Sequence, residues 1–168
     1  MGRVLLQNTL RFIALVLMQV IILDNVQLFG YMNPQFYILF ILLLPFDTPR
    51  WLILVVGFFL GLSIDLFTNT LGMHTAATVF LAFLRPWILK IFSPRDGYEA
   101  DSSPTIRDYG INWFLRYALF ATFMHHLFLF YVEVFNFHEF FSTFLRVILS
   151  TMLTAILIII SQYFIFRR

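Results

Sequence analysis

Six apolar stretches, at residues 9–29, 35–46, 51–67, 73–92, 113–134 and 140–166, take up most of this 168-residue chain. About 20 apolar residues are enough for a helix to cross the ~30 Å hydrocarbon core of a bilayer. Backbone amides find no water there, so each crossing must satisfy its own hydrogen bonds as a helix. The pattern therefore predicts an all-α integral membrane protein. Its expected form is a compact bundle of about six transmembrane helices, making a single domain over 1–168. Composition supports this: 61% of residues are hydrophobic and only 12% are charged, where a soluble domain carries about 25% charged residues.

The polar breaks define the order of the bundle. Asn33-Pro34 enters the second stretch, and the turn "DTPR" at 47–50 separates it from the third. Both stretches are short, so one of them is a candidate for a broken or re-entrant segment. Arg85-Pro86 interrupts the fourth, and Pro86 is expected to kink or end that helix because it lacks an amide donor. Arg85 is then expected to reach the headgroups along its aliphatic stem, or to pair with Asp47 or another carboxylate. The segment 93–112, "SPRDGYEADSSPTIRDYGIN", reads as a solvated loop. No small-x-small cleavage site follows the first stretch, which is expected to be a retained span rather than a signal peptide.

Charge gives an orientation. With six crossings, one side receives Arg3, Arg50, Lys90, Arg95, Arg107, Arg167 and Arg168. The loops on the other side receive no Lys or Arg and instead hold or adjoin Asp24, Glu133, His138 and Glu139. Basic residues collect on the cytoplasmic side of membrane proteins, so both termini and the 93–112 loop are expected in the cytoplasm.

The chain has no cysteine, which removes disulfides, thiolate metal sites and a cysteine nucleophile. No phosphate-binding loop and no basic-aromatic run points to a nucleotide or nucleic-acid partner. The sequence gives no reason to expect a metal or a cofactor. Polar residues in the apolar stretches are the informative ones, since a charge at the bilayer centre costs ~3 kcal/mol or more.

They concentrate in "GFFLGLSIDLFTNTLGMH", residues 57–74. Gly57 and Gly61 form a GxxxG pair, a spacing that lets two helix backbones approach closely. It serves either packing within the chain or dimerisation. Asp65 follows on about the same helix face. One reading joins Asp65, Asn69 and His74 in a buried polar cluster that fixes the hairpin between the third and fourth spans, or docks a partner or a lipid headgroup. The plainer reading makes Asp65 a helix-end residue touching water. Arg146 needs an anion, with Glu139, Glu133 and Asp65 as candidates for a structural ion pair. His125 and His126 project about 100° apart on a helix, which suits interhelical hydrogen bonds better than a shared metal.

The 57–74 stretch resembles the signature of the rod shape-determining protein MreD family. That signature is G-x-x-x-G-L-x-x-D, a short polar turn, and G-x-H opening the next helix. Gly57, Gly61, Leu62, Asp65, Gly72 and His74 fill those places. Pro34 ahead of a Leu-rich second span, the chain length and the six-span hydropathy extend the resemblance over most of the chain. It implies a non-enzymatic subunit of the bacterial cell-wall elongation complex in the inner membrane. Such a subunit binds MreC, and through it works with MreB, the glycosyltransferase RodA and its transpeptidase to support peptidoglycan synthesis and rod shape. It also implies a fold similar to the substrate-binding subunits of ECF vitamin transporters, although fold alone does not fix function.

Two other classes compete. A vitamin-transporter substrate subunit would want small residues along its first span, where this chain offers Ala14 among bulky neighbours. A membrane enzyme acting on lipid carriers would need convergent acidic or histidine groups, for which Asp65 and His74 are at most a seed.

Overall fold

The computed structural model describes residues 2–25, 32–70, 72–99, 102–135 and 139–166. Helices α1 (Gly2–Met18), α2 (Leu39–Leu42), α3 (Arg50–Thr68), α4 (Met73–Ile91), α5 (Ile106–Val134) and α6 (Phe140–Phe166) follow in order. No strand element occurs among the described residues. Four segments are long and apolar enough to cross a membrane: Leu6–Leu23, Arg50–Thr68, Ile106–Val134 and Phe140–Ile165. The chain is thus an all-α bundle with the character of a multi-pass membrane protein. Arg3 belongs to α1 without a described side chain, and His138, Arg167 and Arg168 lie outside the described residues.

Helix α3 shows why these segments suit lipid. Ile53, Gly57, Leu60, Gly61 and Ile64 form one buried stripe at helical spacing,. The opposite face is equally apolar but exposed, with Trp51, Val55, Phe58, Phe59, Leu66 and Phe67. A helix apolar on every side belongs in lipid or in a large core. Neighbouring long helices pack in sequence, α3 on α4, α4 on α5 and α5 on α6.

The second apolar stretch is not a continuous helix. It enters through Asn33-Pro34, makes a 3₁₀ turn at Phe36–Ile38, continues as the single helical turn α2 and leaves through Leu43 and Leu44. Pro34 through Leu44 are all buried. Such irregular backbone needs partners inside the bundle, and side chains from four helices supply them. The Gln35 amide donates to Thr154 Oγ1 (3.1 Å) and the Asn33 amide to Ser150 Oγ (3.1 Å). Gln19 accepts from the Phe36 amide (2.8 Å) and donates to the Pro34 carbonyl (2.9 Å). Tyr117 donates to the Leu42 carbonyl (3.1 Å), and Arg85 to the Leu44 carbonyl.

Two expectations for α4 are revised here. Pro86 does not end the helix, which runs on to Ile91. Arg85 does not reach outward; it is 1% exposed. Its guanidinium faces the carbonyl end of the broken segment and the Tyr117 hydroxyl (3.3 Å). Carbonyls at the end of a helical turn carry partial negative charge, which suits a buried cation.

Helix α5 starts where Thr105 accepts from the Asp108 amide (3.2 Å). It breaks at Gly110, whose φ of +76° only glycine adopts without strain,. At this end of the bundle Phe46 stacks on Tyr98 with ring centroids 4.1 Å apart, and Trp113 lies edge-on to Phe46. The loop expected over 93–112 is shorter than that, because the Thr105 cap starts α5 at Ile106; the end of the bundle away from this loop is the distal end.

Candidate functional site

The signature residues meet at the distal end, where α3 turns into α4. Asn69 caps α3 in the left-handed conformation, φ +55°, with its amide on the Asp65 carbonyl. Gly72 opens α4 at φ +81°. No side chain at the α4 N-cap position satisfies the first free amides of that helix. Asp65, from the end of α3, does so instead.

Asp65 is 5% exposed, and both carboxylate oxygens are engaged. Oδ1 accepts from the His74 amide (3.1 Å), the Thr70 hydroxyl (2.6 Å) and His74 Nδ1 (3.2 Å). Oδ2 accepts from the Thr75 amide (2.8 Å) and the Thr75 hydroxyl (2.5 Å). A carboxylate bonded to backbone amides at a helix N-terminus gains both charge-assisted hydrogen bonds and the favourable end of the helix dipole. Asp65 is therefore an N-cap supplied from the preceding helix.

Gly61 permits this arrangement. A Cβ on Gly61 would lie 2.6 Å from the His74 carbonyl oxygen and 2.7 Å from the Thr75 nitrogen. Backbone fills the place of the missing side chain. Gly57 packs less tightly, its virtual Cβ 3.1 Å from Ala82 Cβ. The GxxxG pair thus packs α3 on α4 within one chain. Asn69 stays outside the polar cluster: its side chain is exposed and its contribution is the left-handed cap. Thr70 and Thr75 take the places a sequence reading gives to Asn69. Alternation and hydropathy do not single out these threonines; the only hint is that they flank the turn.

A cavity of about 240 Å³ opens beside this lock. His74, Thr70 and Thr68 border it on one side, and Asp24, Asn33 and Gln35 on another. Glu133 and Arg146 close the third, with Leu23, Met73, Leu129 and Phe130 as apolar wall. Arg146 pairs with Glu133 (3.1 Å) and lies 4.2 Å over the Phe130 ring. With the Asn33 amide turned to place its oxygen toward Arg146, that contact is 2.6 Å. Of the other expected partners, Asp65 is held by Thr70, His74 and Thr75, and Glu139 is exposed, its backbone carbonyl accepting from Ser142. Its place at the start of α6 separates it from Arg146 by nearly two helical turns.

Asp24 follows a π-helical turn, Gln19–Leu23, that ends the first span. Gln19 donates to Asp24 Oδ1 (2.7 Å). Burial raises the Asp24 carboxyl above the ordinary range, while the Gln19 bond and nearby His74 act in the opposite direction,. Deeper in the bundle, His125 contacts the Tyr37 hydroxyl (3.1 Å). His126 donates from Nδ1 to the Thr122 carbonyl (2.8 Å), leaving Nε2 to accept from Thr154 (3.3 Å). The two rings serve different neighbours, as expected of adjacent helix positions. Among the described residues no group of three or more acidic or histidine side chains forms a metal site.

Gln19, Gln35, Tyr117, Ser150 and Thr154 belong to this polar system but do not stand out in the sequence. The short second stretch is the signal that could have found them, since a broken segment in lipid needs side-chain partners. No protein-family model matches this chain, and no curated protein and no solved structure matches it.

Proposed function

We propose that this protein is a non-enzymatic subunit of the bacterial cell-wall elongation complex. In this reading it sits in the inner membrane with both termini cytoplasmic, in a fold like that of ECF-transporter substrate subunits. It binds MreC and supports MreB, RodA and the associated transpeptidase through that contact. The observation that carries the reading is that the residues of the MreD-like signature act together. Gly61 brings α3 onto the α4 backbone, Asp65 caps α4, Gly72 makes the turn and His74 holds the carboxylate. A locked hairpin suits a scaffold, because it presents the exposed Phe58, Phe59, Leu66 and Phe67 to a partner's membrane helix as a fixed surface.

The test is depletion in a bacterium that encodes the protein, read by cell width and lateral wall incorporation. Wild type is expected to restore rods and to co-purify with MreC. Asp65→Ala is expected to fail through loss of folded protein, with Asp65→Asn intermediate. Unchanged shape and wall insertion on depletion would sink the proposal.

One observation favours the transporter alternative, namely the polar cavity at the distal end. Against it, α1 exposes Leu6, Leu10, Ile13 and Leu17 as a bulky stripe, where docking would want small residues. Vitamin uptake after depletion separates the two readings.

A further inference from the structure

We propose that the distal cavity binds a primary ammonium group, carried by a small polar molecule or by a lipid headgroup. The inference rests on the cavity itself and is independent of the elongation reading.

Two buried oxygens lack a hydrogen-bond partner among the described residues, Asp24 Oδ2 and Gln35 Oε1. Both residues line the cavity, and Gln35 is only 5% exposed. Unpartnered buried acceptors are costly, so two at one cavity point to a donor that belongs there. Both oxygens are closed off in this arrangement, and a rotation about the terminal side-chain torsion, broad and soft for carboxylates and amides, would be needed to turn each toward the cavity.

The charge balance selects the donor. Among the described lining residues, Asp24 and Glu133 face one permanent cation, Arg146, while the His74 imidazole is held by Asp65. Arg146 is already committed to Glu133 and to the face of Phe130, so it offers little to an anion, while Asp24 keeps one oxygen free. An ammonium supplies several donors and one positive charge at a point, the chemistry that a free carboxylate oxygen and a free amide oxygen both accept. A bare metal ion fits less well. The cavity, at about 240 Å³, exceeds the ~150 Å³ that admits a benzene ring, and Leu23, Met73 and Leu129 give it an apolar wall. That wall suits the short carbon chain of an amine such as ethanolamine.

The experiment follows the melting of the purified protein against ethanolamine, with choline as control, at constant ionic strength. Choline carries the same charge without an N–H donor. Ethanolamine is expected to raise the melting temperature and choline to leave it unchanged. Asp24→Asn and Gln35→Leu are each expected to weaken the apparent affinity by about tenfold, the scale of one charge-assisted bond. Each variant is compared with its own melting in the absence of amine. Nanodiscs separate the sources. Stabilisation in phosphatidylethanolamine discs with no further gain from free ethanolamine assigns the site to the headgroup. Response to free ethanolamine in phosphatidylcholine discs, with phosphatidylethanolamine alone inert, assigns it to a free amine. Equal responses to choline and ethanolamine overturn the proposal, as does no response in any medium. Undiminished responses in both variants overturn it as well. If neither variant folds, the comparison of choline with ethanolamine on wild type decides alone.

Discussion

Gly61→Ala is the most discriminating single change in this protein. The added methyl carbon would lie 2.6 Å from the His74 carbonyl oxygen and 2.7 Å from the Thr75 nitrogen. Thr75 Cα would be closer still, and ordinary contact begins near 3.4 Å, so α3 and α4 must part by close to 1 Å. Both obstacles are backbone in the first turn of a helix, and no rotamer change relieves them. Overpacking of this kind costs about 1–3 kcal/mol. The same displacement stretches the Asp65 bonds to the Thr75 and His74 amides, now 2.8 and 3.1 Å, beyond useful length. A charge-assisted bond contributes about 1.5–3 kcal/mol. The higher helix propensity of alanine returns about 1 kcal/mol. With one of the two bonds recovered by adjustment of the carboxylate, the net expectation is a loss of about 1.5–5 kcal/mol. Gly57→Ala is the internal control. Its nearest neighbours are Ala82 Cβ at 3.1 Å and the Thr78 carbonyl oxygen at 3.3 Å, so the helices need shift by only a few tenths of an ångström and the cost should be well below that of Gly61→Ala. Thermal melting of the two purified variants in one detergent reads the difference. Gly61→Ala melting at or above Gly57→Ala would refute the close-approach argument.

Other perturbations test separate parts of the structure. Gln19→Leu orphans the Phe36 amide and the Pro34 carbonyl, and should cost about 2–4 kcal/mol at 1–3 kcal/mol for each buried unsatisfied group, discounted for sharing; hydrogen exchange should accelerate first at Phe36. Arg85→Met leaves the Leu44 carbonyl and Tyr117 hydroxyl without their cation, and should lower stability by about 2–3 kcal/mol, with protease sensitivity appearing near residues 43–48. In a double-mutant cycle, Arg146 and Glu133 should couple by only about 0.2–1 kcal/mol, because the Glu133 side chain is 41% exposed,. Tyr98 donates to the Leu89 carbonyl (2.6 Å), and burial pushes its phenol up to about 12. The folded state then holds a proton that the unfolded chain releases near pH ~10. Stability from this group is full below that value and is lost as pH rises toward 12, so tyrosinate absorbance should show a late step that Tyr98→Phe removes.

Much of the architecture is legible in hydropathy alone. Stretches of 17 or more apolar residues became long helices, because in lipid the backbone has no other partner. The 35–46 stretch is different, since the same apolar composition serves a buried broken segment as well as a span. What distinguishes it is its partners, and Gln19, Tyr117, Ser150 and Thr154 are scattered over three other helices where no local pattern connects them. The place of Arg85 is hidden for a related reason. Reading outward from a Pro-flanked arginine favours the headgroups, but the carbonyl end of the broken segment lies closer and needs a donor. Glu133 and Glu139 are indistinguishable in the sequence; the packing of α6 on α5 brings Arg146 beside the first.

The signature stretch also explains itself differently once its geometry is known. A carboxylate, an imidazole and glycines at the edge of an apolar span suggest chemistry. Here nearly all their capacity is spent on the hairpin: Asp65 takes five hydrogen bonds from Thr70, His74 and Thr75, leaving it no open position for a substrate. A helix opened by glycine has first-turn amides with no side-chain cap of their own,, and one buried carboxylate from the preceding helix meets that need only if the two backbones nearly touch. Gly61 and Asp65 are therefore a single device, the glycine setting the distance at which the carboxylate works. The reactive-looking groups that remain open, Asp24 and Gln35, lie across the cavity on parts of the chain that the signature does not include. Any ligand chemistry at this end of the bundle should follow substitutions at those two positions, while substitutions in the signature should act first on folding.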